Sequence, residues 1–195
     1  MLRFSSIIPK TTPYQNSLKN KELLQQEDLK AFSSILNEQK DSKIYRPTLF
    51  DFLNQNALDF YKTNETQITK PAYKFEIDNP EFLKDAEAFL AVNIESKDTT
   101  SLQLNVLKIY QDLIQFHIKD ESPFAFADVN IQRLKFVNEF ATFNDKETCL
   151  IEALKIESDR LKTHEVSGLY EFEIASIFNE QSKQYKPIVI ETDET

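Results

Sequence analysis

Few residues in this chain are equipped for chemistry. It has two histidines, His117 and His164, and one cysteine, Cys149. A zinc centre draws on three or four such ligands at short spacings of the CxxC or HExxH kind, and neither spacing occurs. Metal binding would need both histidines to meet Cys149 or carboxylates in space, so the sequence predicts no metal and no cofactor. His117 stands near the end of an apolar helix, between Phe116 and Ile118, where a core or helix-end imidazole is expected. His164, between Thr163 and Glu165, is expected at the surface. Cys149 heads an amphipathic helix; that position can lower a thiol pKa, but small apolar packing is the expected role. The 32 Asp and Glu residues could supply an acid–base pair across a cleft, yet helix surfaces ordinarily carry as many. Glu152, Glu157 and Asp159 read as a solvated face with Lys155 and Arg160 as partners. No catalytic residue is nominated, and the chain is expected not to be an enzyme.

The elements that would position these groups are foreshadowed by an absence. Gly168 is the only glycine in 195 residues, against an ordinary usage of about 7%. Glycine reaches positive φ without strain, so hairpins, bulges and phosphate-cradling loops depend on it. A dinucleotide fingerprint needs three glycines and a Walker loop two, and both are excluded. Helices joined by polar loops need it rarely, and the expected class is all-α.

The bulk numbers suit a foldable chain: 41% hydrophobic, 28% charged, mean hydropathy −0.47, with 16 Phe, 7 Tyr and no Trp. The formal net charge is −9 and no two Lys or Arg residues are adjacent, so a phosphate backbone would be repelled and nucleic acid is not an expected partner. A single cysteine precludes an internal disulfide. No run approaches transmembrane length, and Met1 to Lys10 lacks a signal-peptide apolar stretch. A cytoplasmic protein, or an interior piece of an exported one, fits these facts.

Periodicity then sets the organisation: a lead-in over 1–13, one helical domain over 14–186 with a possible subdivision near 62–80, and an acidic, frayed tail over 187–195. About eight helices in an irregular array are expected. Asn16 to Gln26 and Asp28 to Asn37 suggest two short ones, followed by a polar linker from Glu38 to Lys43. Thr48 and Asp51 form a capping box with Asp in place of Glu, opening a helix with Leu49, Leu53, Ala57 and Phe60 on one stripe and an end near Lys62. Tyr61 to Pro80 is a connector, with extended chain between Pro71 and Pro80. Asn79 and Pro80 start the next helix, bearing Phe82, Ala86 and Phe89. Leu102, Val106, Ile109, Leu113 and Phe116 step by four and three, and with Leu107, Tyr110 and Ile114 make that helix apolar over more than half its circumference, hence central. Three more follow: Ala127 to Ala141, a helix capped by Asn144 and Asp145, and one from Thr163 closed by Pro187. The second half thus suggests α-hairpins of tetratricopeptide-like, repeat-like character.

One stretch carries a resemblance. Tyr45-Arg46-Pro47-Thr48-Leu49-Phe50-Asp51-Phe52-Leu53, then Asn56-Ala57-Leu58-Asp59-Phe60-Tyr61, then Ile68-Thr69-Lys70-Pro71-Ala72-Tyr73-Lys74-Phe75 resembles a helical segment ahead of the macroglobulin domains in large bacterial alpha-2-macroglobulin-like proteins. Ser101 to His117 and Asp128 to Glu139 are similar to the same region. The resemblance implies an exported, periplasmic or cell-surface setting in a protease-trapping family. It implies a non-catalytic scaffold or spacer whose partners are neighbouring domains of a larger polypeptide. The thioester of some members is not implied, because Cys149 is followed by Leu150, Ile151 and Glu152. The residues given a structural role are Arg46, Pro47, Thr48, Asp51, Asp59, Pro71 and Tyr73: they cap a helix and pin the connector to it, with Arg46 pairing a carboxylate such as Asp59. A stand-alone helix-repeat adaptor that binds peptides is the alternative.

Overall fold

The computed structural model describes residues 16–37, 39–62 and 73–185. Among them lie eight α-helices: α1 (Lys21–Gln26), α2 (Ser42–Tyr45), α3 (Leu49–Tyr61), α4 (Ala86–Ala91), α5 (Leu102–His117), α6 (Phe124–Phe140), α7 (Lys146–Arg160) and α8 (Ser167–Gln184). Two 3-10 turns, Leu29–Phe32 and Pro80–Leu83, complete the order. A short polar side chain caps the start of α3, α4 and α5, and a left-handed Asp precedes α2 and α7. No strand forms among the described residues, only isolated bridges between Asp28 and Thr48 and between Ile77 and Ala141. The all-α class stands.

The capping box forms as expected. The Thr48 hydroxyl accepts from the Asp51 N–H at 3.4 Å, and the Asp51 carboxylate accepts from the Thr48 N–H at 2.9 Å. Two amides without helical partners are thereby satisfied. Ser101 caps α5 by accepting from the Leu104 N–H at 3.2 Å.

Several local expectations are corrected. Within Asp28 to Asn37 only Leu29–Phe32 is helical, as a 3-10 turn, and the short α2 starts at the end of the polar linker and runs beyond it to Tyr45. The helix expected after Pro80 is broken in two. Lys84 turns extended, and the Asp85 carboxylate starts again as the N-cap of α4, accepting from Glu87 and Ala88. Asp145 precedes α7 but caps it by position alone: it lies in the left-handed region at φ 57° and its side chain makes no cap bond. Asp41, before α2, is the other such residue among the described ones, at φ 65°. Asp tolerates this conformation better than most residues. Gly168, by contrast, sits second in α8 without positive φ.

The connector is described from Tyr73 onward, and Pro71 lies outside the described residues, as do Pro187 and the 187–195 tail. Tyr73 does not pin the connector to α3; it is 66% exposed, and its ring faces the Lys97 ammonium 5.0 Å away. The pinning is done further on. Ile77 is fully buried and its carbonyl accepts from the Thr142 N–H at 2.9 Å, while the Phe75 N–H donates to Asp98 at 3.1 Å.

Consecutive helices pack pairwise, α5 with α6 and α7 with α8, and α3 lies on α5. As expected, α5 is central, burying Leu104, Val106, Leu107, Ile109, Tyr110, Leu113 and Ile114. Its neighbour α6 is buried almost all round, from Ala125 to Val137, with Asn130 and Arg133 inside. Among the described residues, no helix is long and apolar enough to cross a membrane.

Candidate functional site

The ionisable groups drawn into the interior mark where this fold concentrates its chemistry, because burying a charge is costly unless it is paired and hydrogen-bonded. Among the described residues most fall into three clusters, one at the start of α3, one inside α6 and one along a groove between them, while Asp98 is buried apart from these, where it accepts from the Phe75 N–H and the Thr100 hydroxyl.

The first grows out of the capping box. Asp51 is 1% exposed. Its Oδ2 accepts from both the amide and the hydroxyl of Thr48, at 2.9 and 2.8 Å. Its Oδ1 lies 2.6 Å from Nε2 of His117 at the last position of α5. On the other side of the ring, Nδ1 is 2.6 Å from Oδ2 of Asp120. His117 is a core, helix-end histidine, as its place in the sequence suggested. Burial works against its charged form, but the hydrogen bonds and charges of Asp51 and then Asp120 outweigh burial and raise its pKa above the ordinary value.

The second cluster was not anticipated. Arg133 is fully buried. Its guanidinium donates to the carbonyls of Phe82 (2.7 Å) and Lys84 (2.8 Å) and twice to Oδ1 of Asn130 (3.0 and 2.7 Å), and it lies 4.5 Å over the Phe89 ring. Burial lowers its pKa to about 10, against the pull of Glu157, so it stays charged at neutral pH. Asn130 in turn donates to the Tyr170 hydroxyl at 3.3 Å. Glu157 is 0% exposed, which takes it out of the solvated face that Glu152, Lys155 and Asp159 do form. One of its oxygens accepts from the Ala86 N–H that opens α4, at 2.7 Å, and the other is paired with Arg160. A signal was present: Glu157 falls three residues after Leu154 and four before Leu161, on the apolar stripe itself. Arg133 had no such signal, because a lone Arg on a helix is ordinarily a surface residue.

The third cluster lines open grooves that meet at Asp128. One, of about 340 Å³, is bounded by Gln39, Asp41, Tyr45, Arg46 and Asp128. Another, of about 420 Å³, is bounded by Lys62, Asp128, Gln132, Lys135, Phe136 and Phe140. Burial raises the Asp128 pKa, opposed by Arg46, by a hydrogen bond from Gln132 and by Lys62. Lys62 donates to Gln132 at 3.2 Å over the Tyr110 ring, and burial lowers its pKa against Asp59 and Asp128. The buried Tyr110 hydroxyl has no hydrogen-bond partner among the described residues.

The remaining candidates are dispersed. No ion pair joins Arg46 to Asp59 among the described residues; Asp59 is exposed on α3, and the carboxylate that Arg46 acts on is Asp128. Pro47 leads into Thr48 and the capping box. His164 lies half-buried at the surface: Nδ1 accepts from the Val166 N–H at 3.1 Å, and its ring stands edge-on to Phe124. Cys149 is half-buried against the core in the first turn of α7. Among the described residues no three His, Cys, Asp or Glu side chains gather as a metal site.

The fold and its interior define a helical protein held by buried polar staples. No protein-family model, curated protein or solved structure matches the chain.

Proposed function

We propose that this chain is a non-catalytic helical scaffold that sets the spacing and orientation of neighbouring domains in a larger, exported alpha-2-macroglobulin-like polypeptide at the periplasm or cell surface. The observation that carries this reading is the use made of the buried charges. His117 ties α3 to the end of α5, Arg133 ties α6 to the carbonyls of the Pro80 turn, and Glu157 ties α7 to the start of α4. Each joins elements distant in sequence, which suits a body that transmits position without deforming. The side chains of the Arg46–Asp51 motif serve the same end.

The test is the coding sequence on either side. An export signal upstream and strand-rich repeats downstream support the scaffold; a genuine start at Met1 with a stop directly after Thr195 overturns it. The peptide-binding adaptor is favoured by one observation, the groove at Asp128, where Phe136 and Phe140 lie beside charges of both signs. That reading requires amide shifts concentrated at Phe136 and Phe140 when a pool of short peptides is titrated in.

A further inference from the structure

At the end of α5 one imidazole meets two carboxylates, and a neutral ring cannot satisfy both. A neutral imidazole has one N–H donor and one lone pair, while an ionised carboxylate only accepts. Nε2 faces Asp51 and Nδ1 faces Asp120, each at 2.6 Å. Both contacts are attractive only when both nitrogens carry protons. The two acids are not equivalent. Asp51 is buried and already accepts two bonds from Thr48, whereas the Asp120 side chain is 36% exposed. We propose that His117 is a proton-controlled latch: as imidazolium it fastens the 118–123 turn to the start of α3, and loss of its proton to water releases Asp120 and that turn.

The asymmetry sets which contact fails. A neutral ring keeps its single N–H for Asp51, since a buried acceptor left without a donor is the costlier loss. Its lone pair then faces Asp120, whose carboxylate can turn into water. The other elements packed on α5 commit their charges elsewhere. Lys21 of α1 pairs with Asp112, and Glu87 of α4 faces Arg160. On α6, Asp128 bonds Gln132, Arg133 bonds backbone carbonyls, Lys135 pairs with Glu173, and Glu139 lies in the last turn. The last turn of a helix also favours a cation. With its pKa raised in the folded state, His117 contributes stability that is complete below the ordinary value of about 6.5 and is lost as pH rises through the folded value.

The test uses the full chain with ¹⁵N-labelled histidine, its two signals assigned with His164→Gln. Both His117 ring nitrogens should be protonated at about pH 6, below the ordinary histidine value, and the ring should lose its proton only above that value. Amide protection over 118–123, corrected for intrinsic exchange, should fall about tenfold per pH unit between the ordinary and the folded titration points and then level off. Asp120→Asn should lower the His117 titration and flatten that fall. A single protonated nitrogen on His117 at about pH 6 overturns the latch, as does an unchanged protection profile in Asp120→Asn.

Discussion

Arg133→Met is the substitution whose cost the structure defines most fully. Methionine follows the arginine stem but brings no donor, so the carbonyls of Phe82 and Lys84 and the amide oxygen of Asn130 lose the guanidinium together. Each acceptor left buried without a donor costs about 1–3 kcal/mol, and the contact with Phe89 adds about 1–2 kcal/mol when desolvated. Against this, the variant no longer buries a cation, which recovers several kcal/mol. The balance of three buried acceptors left without a donor against that recovery is a loss of about 3–5 kcal/mol, a large share of the roughly 5–15 kcal/mol that holds a domain together. Urea unfolding followed by circular dichroism is the assay. With a slope of about 2 kcal/mol per molar urea, the midpoint should fall by about 2 M. Arg133→Lys should fall between, because one ammonium keeps the charge but cannot span three acceptors in two elements. A loss below about 1 kcal/mol in Arg133→Met, with an unchanged slope, would show that these acceptors find other donors and that Arg133 is no staple.

Other perturbations separate local from long-range effects. Thr48→Ala removes the hydroxyl from the capping box and should cost about 1 kcal/mol, read as a lower urea midpoint; no change would mean that Asp51 holds the turn unaided. Gly168→Ala should stabilise by about 0.5–1 kcal/mol, because an added Cβ meets nothing within 4 Å and the backbone is helical; a lower melting temperature refutes it. Asp128 has its pKa raised in the fold, chiefly by burial. The folded state therefore binds that proton more tightly, and the group's contribution to stability falls as pH rises from the ordinary carboxylate value through the folded one. Asp128→Asn should remove that fall and gain on the parent chain across the window, keeping the gain at neutral pH. A variant that loses ground to the parent between pH 3 and 7 refutes the sign.

The relation between chain and fold is clearest at Asp51. One of its oxygens bonds Thr48, three residues back, and that bond was legible because helix geometry fixes what lies three residues away. The other bonds His117, 66 residues on, and nothing local announces it. Arg133 reaches carbonyls 51 and 49 residues upstream, and Glu157 an amide 71 residues upstream. The break after Leu83 was invisible for the same reason: Asn79 and Pro80 start a turn by local rules, but the carbonyls that leave the helical path there are those Arg133 takes. The sequence by itself determined the all-helical class, through recurring apolar positions and a near absence of glycine, together with the cap at Thr48 and the central place of α5. Tertiary structure alone decided which buried charges meet, because helical periodicity says which face of a helix turns inward and not which other helix it will find there.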